Sequence, residues 1–289
     1  MLTRSVRYPG FVRHSNGSTR NSPPRGKSVT TRVLSGIGEI FITLGVLGLL
    51  FVAWELWWTG LGADRERQQA QEDFYSGLDI QAAPEEGGAD SASGSAPDFE
   101  VCYTLEDGTE IGCAPQMEAA AEAGEVMGML YAPRLGDEWA APIRHGVGPQ
   151  QLDTGGVGHY PDTQMVDEVG NFALAGHRQT YGNMLGDQHL LEDGDPLYVV
   201  SGDGIYVYEI YESHVVDPHQ TEVISPVPNE PEAEPETGQL TLTTCHPMYS
   251  NAERLITHAE IVDFQPWGGE VPEDISHHLD DSDALAGAR

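Results

Sequence analysis

The amino-acid sequence predicts an all-β domain, a barrel or a sandwich with only short helices, carried by one membrane-spanning helix. Three observations lead there. Strand-like runs recur between turn signals from residue 127 onward, helical patterns are few and short, and one long apolar stretch near the start lacks charge. The chain has 289 residues, 39% hydrophobic and 21% charged. That composition excludes a collagenous, coiled-coil or polytopic membrane protein.

The first 32 residues hold Arg4, Arg7, Arg13, Arg20, Arg25, Lys27 and Arg32 and no acidic residue. Ile40 to Trp54 then carries no charge at all, and Glu39 is the one charge between Val33 and Trp54. About 20 apolar residues cross a bilayer, so 33–58 is assigned as a transmembrane helix. Trp54, Trp57 and Trp58 sit where indole rings favour the headgroup region. The basic residues ahead of it predict a cytoplasmic tail, 1–32, and an extracellular body. A cleaved signal peptide would have a shorter apolar core and a small-residue cleavage site, whereas Trp-Glu-Leu-Trp-Trp follows here. The chain's net charge is −32, and with seven of its 14 basic residues in the tail the body carries −39, which would repel nucleic acid.

Residues 59–126 read as an extracellular linker, because 81–98 are mostly Ala, Gly, Ser, Pro, Asp and Glu. Such a segment buries too little apolar surface to offset its ordering entropy. Residues 268–289 read in the same way, as an acidic disordered tail. Within the linker, Asp107-Gly108 signals a two-residue hairpin turn. Pairing about that turn sets Cys102 opposite Cys113, within reach of a disulfide. Cys245 is then left as a free thiol. Because the hairpin precedes the domain, losing the bridge is expected to leave activity largely intact.

The folded domain is placed at 127–267. Its strands are expected at 128–131, 143–147, 171–175, 196–200, 205–216, 239–244 and 255–264, and its helices at 149–153 and 181–191. Two segments carry chemistry. His177 follows the small-residue run Asn171-Phe-Ala-Leu-Ala-Gly, and Cys245 ends the run Gln239-Leu-Thr-Leu-Thr-Thr. Pro247 stops the second strand, so Cys245 sits at a strand end. If the next strand returns as a hairpin, Arg254 comes back beside Cys245. A thiol attacks as a thiolate, which an imidazole and a guanidinium stabilise, and arginine also donates to an oxyanion. Taken singly, each residue has a plainer reading as a buried small hydrophobe, one of eleven histidines, or a surface cation.

Together the segments resemble a known family. Thr241-Leu-Thr-Thr-Cys245 resembles the Thr-Leu-X-Thr-Cys signature of sortases, with histidine, cysteine and arginine in that family's order. The likeness runs from about Gly128 to Phe264. It includes Leu130-Tyr-Ala-Pro-Arg134, Gly156-Val-Gly-His-Tyr-Pro161, Ala175-Gly-His-Arg-Gln-Thr-Tyr-Gly182 and Gly194-Asp-Pro196. These segments, and the anchor ending in Glu-Leu-Trp-Trp-Thr59, are most similar to class E sortases of actinobacteria. The resemblance implies an eight-stranded sortase-type β-barrel and a membrane-anchored cysteine transpeptidase. It implies Cys245 as nucleophile, His177 as catalytic histidine and Arg254 as the arginine, with Thr244 shaping the acyl site. It further implies surface proteins bearing a C-terminal Leu-Ala-X-Thr-Gly or Leu-Pro-X-Thr-Gly motif as substrates. A peptidoglycan precursor or pilin amine would be the acceptor.

No cofactor and no metal are expected. His159, His189, His246 and His258 show no ligand spacing, and the Pro- and Glu-rich stretch 217–236 lacks an Asp-rich calcium loop. Two other readings remain: an extracellular cysteine hydrolase, and a catalytically silent anchored binding module.

Overall fold

A computed structural model describes residues 29–78 and 99–280. The basic tail up to residue 28, the small-residue stretch 79–98 and the last nine residues lie outside the described residues. The chain divides into two compact units at Val52/Ala53. The first is helical. Helix α1, Val29–Gly77, contains the apolar span Arg32–Trp54, with a mean hydropathy of 2.2 and none of it buried. Twenty-three residues at a rise of about 1.5 Å match a hydrocarbon core of about 30 Å.

The second unit contains β1 (Val101–Thr104), β2 (Glu110–Gly112), α2 (Pro115–Ala123), β3 (Val126–Tyr131), β4 (Ala140–His145), α3 (Pro149–Leu152) and β5 (Val157–His159). It continues through β6 (Gly170–Ala175), β7 (Pro196–Val200), β8 (Gly204–Val216), β9 (Gly238–His246), β10 (Glu253–Pro266) and α4 (Glu273–Asp280). Eight strands close a barrel in the order β10-β8-β7-β3-β4-β5-β6-β9. The pairs β4–β5 and β6–β9 are parallel, and the rest are antiparallel. Alternation fills the interior. Phe172 and Leu174 of β6, Leu240 and Leu242 of β9, and Tyr206 and Tyr208 of β8 are all buried in one cluster. The odd-numbered residues of β9, Thr241, Thr243 and Cys245, therefore share the outer face.

The structure departs from the sequence reading in five places. Strand β5 was not expected; at three residues it is too short to show an alternation. The helix expected at 181–191 does not form. Thr180, Tyr181 and Asn183 adopt positive φ, which a right-handed helix excludes, and one 3₁₀ turn at Gln188–Leu190 remains. Helix in the expected linker is longer than the short continuation that Gln68–Phe74 suggests in sequence, because α1 runs to Gly77 and buries Ala63, Ala70, Phe74 and Tyr75. Tyr75 and Tyr131 share a hydroxyl hydrogen bond. The expected disordered tail contains α4, whose Ile275 and Leu279 are buried in the same cluster as Tyr131 and Tyr198.

The hairpin is the fifth departure. Its register is Val101↔Gly112, Tyr103↔Ile111 and Thr104↔Glu110, one residue off the pairing read from Asp107-Gly108. An irregularity between Val101 and Tyr103 widens that offset to two residues at Val101. Cys102 and Cys113 are disulfide-bonded with Cα atoms 5.0 Å apart. The hairpin also belongs to the core rather than to a linker. Ile111 is fully buried, Phe99 and Tyr103 pack against the barrel cluster, and Tyr206 Oη donates to the Gly112 carbonyl at 3.0 Å. Gly112 is required there, because a Cβ would collide with the Phe264 ring.

Candidate active site

The parallel pairing of β6 and β9 builds the site. Ala175 is level with Thr243, and Gly176 N–H donates to the Thr243 carbonyl at 3.1 Å. Two residues further along each strand, His177 comes level with Cys245. Both line one pocket of about 250 Å³, together with Arg178, Gln179, Thr180, Tyr249, Ser250 and Asn251. The small residues before His177 have a packing cause: a Cβ on Gly176 would meet Leu185 at 2.7 Å. Cys245 is half-buried and carries a free thiol.

His177 is held from its far side. Its Nε2 lies 2.8 Å from Oδ1 of Asp153, the residue that ends α3, and the two side chains are 30% and 33% exposed. The Tyr181 ring lies 5.4 Å from the imidazole, centroid to centroid. With Nε2 committed to the carboxylate, Nδ1 is the nitrogen left to exchange a proton in the pocket.

Arg254 is the register partner of Cys245 across β9 and β10, so the two side chains leave the sheet on the same face. It does not line the 250 Å³ pocket. Its Nη1 donates instead to the carbonyls of Asn251 at 3.0 Å and Glu253 at 2.9 Å, curled back over the β9–β10 turn. Thr244 is also away from the pocket. It is 2% exposed, and its hydroxyl donates to the Gly176 carbonyl at 2.8 Å, tying the end of β6 to β9. The residue next to the nucleophile thus has its hydroxyl engaged by backbone.

Sequence reasoning missed two neighbours. Arg178 is 5% exposed, and its Nη1 donates to the Cys245 carbonyl at 3.3 Å and to His246 Nδ1 at 2.8 Å. Asp153 is the other. Arg178 carried the signal of adjacency to His177, whereas nothing local marked Asp153. No residue lining the pocket belongs to a cluster able to hold a metal. Among the described residues such clusters are Cys102, Cys113 and Asp167, whose thiols are oxidised, and Glu212, His214 and His258.

A sortase-domain family model matches residues 130–262. Sortase SrtE1 of Streptomyces coelicolor is 32% identical over 244 residues, which cover 82% of this chain and 59% of SrtE1. The chain thus spans about three-fifths of the length of that relative. Sortase SrtE2 of the same organism is 27% identical over 257 residues, 86% of this chain and 88% of SrtE2. Among solved structures, sortase E from Streptomyces avermitilis is 37% identical, covering 53% of this chain and 97% of that one with a TM-score of 0.48.

Proposed function

The chain belongs to the sortase family, most similar to its class E members, and from that premise we propose that it is a membrane-anchored cysteine transpeptidase. Its substrates would be surface proteins ending in a Leu-Ala-X-Thr-Gly or Leu-Pro-X-Thr-Gly motif, cut between Thr and Gly. A cell-wall or pilin amine would receive them. The observation that carries this reading is the meeting of His177 and Cys245 in one pocket at the ends of parallel strands, with the imidazole oriented by Asp153.

The Cys245 thiolate attacks the threonine carbonyl, forming a C–S bond and an oxyanion. As that intermediate collapses, the C–N bond breaks and the leaving glycine amine takes a proton from His177 Nδ1. The thioester is then attacked by the acceptor amine, which returns its proton to His177, and the C–S bond breaks to release Cys245. Arg254 serves the oxyanion by swinging from the Asn251 and Glu253 carbonyls toward its register partner. The Arg32–Trp54 span anchors the chain, and the basic residues before it favour a cytoplasmic N-terminus with the catalytic unit outside.

The test is mass spectrometry of the protein mixed with a Leu-Ala-X-Thr-Gly peptide, with and without an amine acceptor. An acyl adduct on Cys245 and amine-dependent ligation, both lost in Cys245→Ala, are expected. Cleavage that ignores the amine would turn the assignment to a hydrolase. The absence of any adduct would leave a silent barrel.

A further inference from the structure

On the outer face of β8 and β10, we propose that Glu212, His214 and His258 form a binding site for a divalent transition-metal ion of the zinc type. Glu212 and His214 alternate onto one face of β8. The β8–β10 register sets Glu212 opposite His258 and His214 opposite Ile256, which brings the three side chains together from two strands. Their donor atoms all lie within 4.8 Å of one another. Tetrahedral zinc with N and O ligands needs about 3.4 Å between donors. Glu212 Oε2 and His214 Nδ1, 3.7 Å apart, are already close to that. Small side-chain rotations close the remainder.

The proton positions are set by a hydrogen-bonded chain that runs across three strands, β6, β9 and β10. Asn171 Nδ2 donates to the carbonyls of Val223 and Ser225, so its Oδ1 is turned to accept. Thr241 Oγ1 donates to that oxygen at 2.8 Å, which uses its single proton. The 2.9 Å contact between Thr241 Oγ1 and His258 Nδ1 must therefore be donated by the imidazole. His258 then carries its proton on Nδ1, and Nε2 presents a lone pair. Asn229 Nδ2, a donor, sits 3.5 Å from that nitrogen. A ligating histidine whose second nitrogen donates to a fixed acceptor is the arrangement that orients metal-bound imidazoles.

His214 supplies the second sign. Its Nδ1 is buried and makes no hydrogen bond. A buried polar atom without a partner costs stability unless something binds it. Two imidazoles and a carboxylate suit zinc rather than calcium or magnesium, which take oxygen ligands. Glu212 is exposed, so an ion can enter from solvent, whereas His258 is fully buried beneath it. Sequence spacing gave no hint of a metal, because His214 and His258 meet only through strand pairing.

The experiment uses the full chain in detergent with Cys245→Ala, so that the catalytic thiol cannot ligate. After chelation, equilibrium dialysis against Zn²⁺ should give one bound equivalent, and Co²⁺ should give the intense visible bands of a tetrahedral site. Glu212→Gln and His214→Gln should each weaken binding at least tenfold. Thr241→Val, which removes the acceptor for His258 Nδ1, should weaken it by about 10- to 100-fold. His258→Gln also breaks the buried chain, so the more exposed pair decides. Failure to bind one equivalent, or binding unchanged in either Glu212→Gln or His214→Gln, overturns the site.

Discussion

His177 Nε2 and Asp153 Oδ1 lie 2.8 Å apart, joining the exit of β6 to the end of α3. The contact occupies Nε2 and leaves Nδ1 free of it, on a ring that lines the pocket shared with Cys245. Loss of general acid–base help costs about 10²–10⁴-fold, and His177→Ala should fall in that range. Asp153→Ala keeps the acid but lets the ring turn, so kcat should fall by less and KM should hold. An Asp153→Ala enzyme with wild-type kcat would show that the carboxylate has no part in catalysis.

The two arginines near Cys245 should separate by assay. Arg254 is half-buried and bonds only backbone carbonyls of its own turn. Arg254→Lys keeps the charge but not the planar fork of donors. If it serves the oxyanion, kcat should drop by about 10²–10³-fold, with the melting temperature nearly unchanged. Arg178 is buried against the Cys245 carbonyl and His246. Arg178→Met strands those acceptors and should cost about 1–3 kcal/mol of stability. A KM effect alone in Arg254→Lys would make it a substrate-positioning group. Unchanged melting of Arg178→Met would void the structural role.

The hairpin prediction changes once its packing is known. Thiol titration of the denatured, unreduced chain should find one free cysteine, Cys245, and finding three would remove the bridge. The closed loop is short, and loop-closure entropy assigns such a bridge about 3 kcal/mol. Because Ile111 is buried in the barrel cluster, Cys102→Ser with Cys113→Ser should melt earlier than wild type. Below its transition, kcat should stay near wild type, since no pocket residue belongs to the hairpin. Equal melting temperatures would refute the stabilising role.

Legibility followed range. Strands β6, β8, β9 and β10 were visible because alternation needs only neighbours along the chain, and Cys245, His177 and Arg254 because they carry a family signature. The same alternation, with Leu240 and Leu242 buried, also turns Thr244 inward, where its hydroxyl meets the Gly176 carbonyl. Asp153 and the Glu212–His214–His258 cluster depend on which strands and turns become neighbours in space. Helix α4 was hidden by composition: Ile275 and Leu279, four residues apart, stand among Glu, Asp and His and give one turn of apolar stripe.

Buried histidines should make stability fall toward acid. His159 is 1% exposed, stacked on Phe172, with Nε2 beside the Gln164 carbonyl and Nδ1 3.1 Å from His145. Burial pushes its pKa down to about 4, with nearby His145 adding to the shift and the Gln164 bond opposing it. His258, among Thr241, Asn229, Tyr211, Glu212 and His214, is likewise lowered to about 4, first by burial and then by His214. In the unfolded chain each ring titrates near 6.5. Between about pH 6.5 and 4 the unfolded chain therefore binds protons that the folded chain refuses, and stability declines as pH falls through that window. Above 6.5 neither ring contributes a slope. Asp167 and Asp203 act with the opposite sign, because burial raises both and the folded chain takes up their protons first. Discharge of a chain with net charge −32 also favours the folded state in acid. The histidine share is therefore read as a difference. In chelator, wild type and His159→Gln are unfolded with urea at pH 7 and pH 5. Wild type should lose more stability between the two, by on the order of 2 kcal/mol. Equal losses in the two proteins would mean that His159 does not titrate with folding.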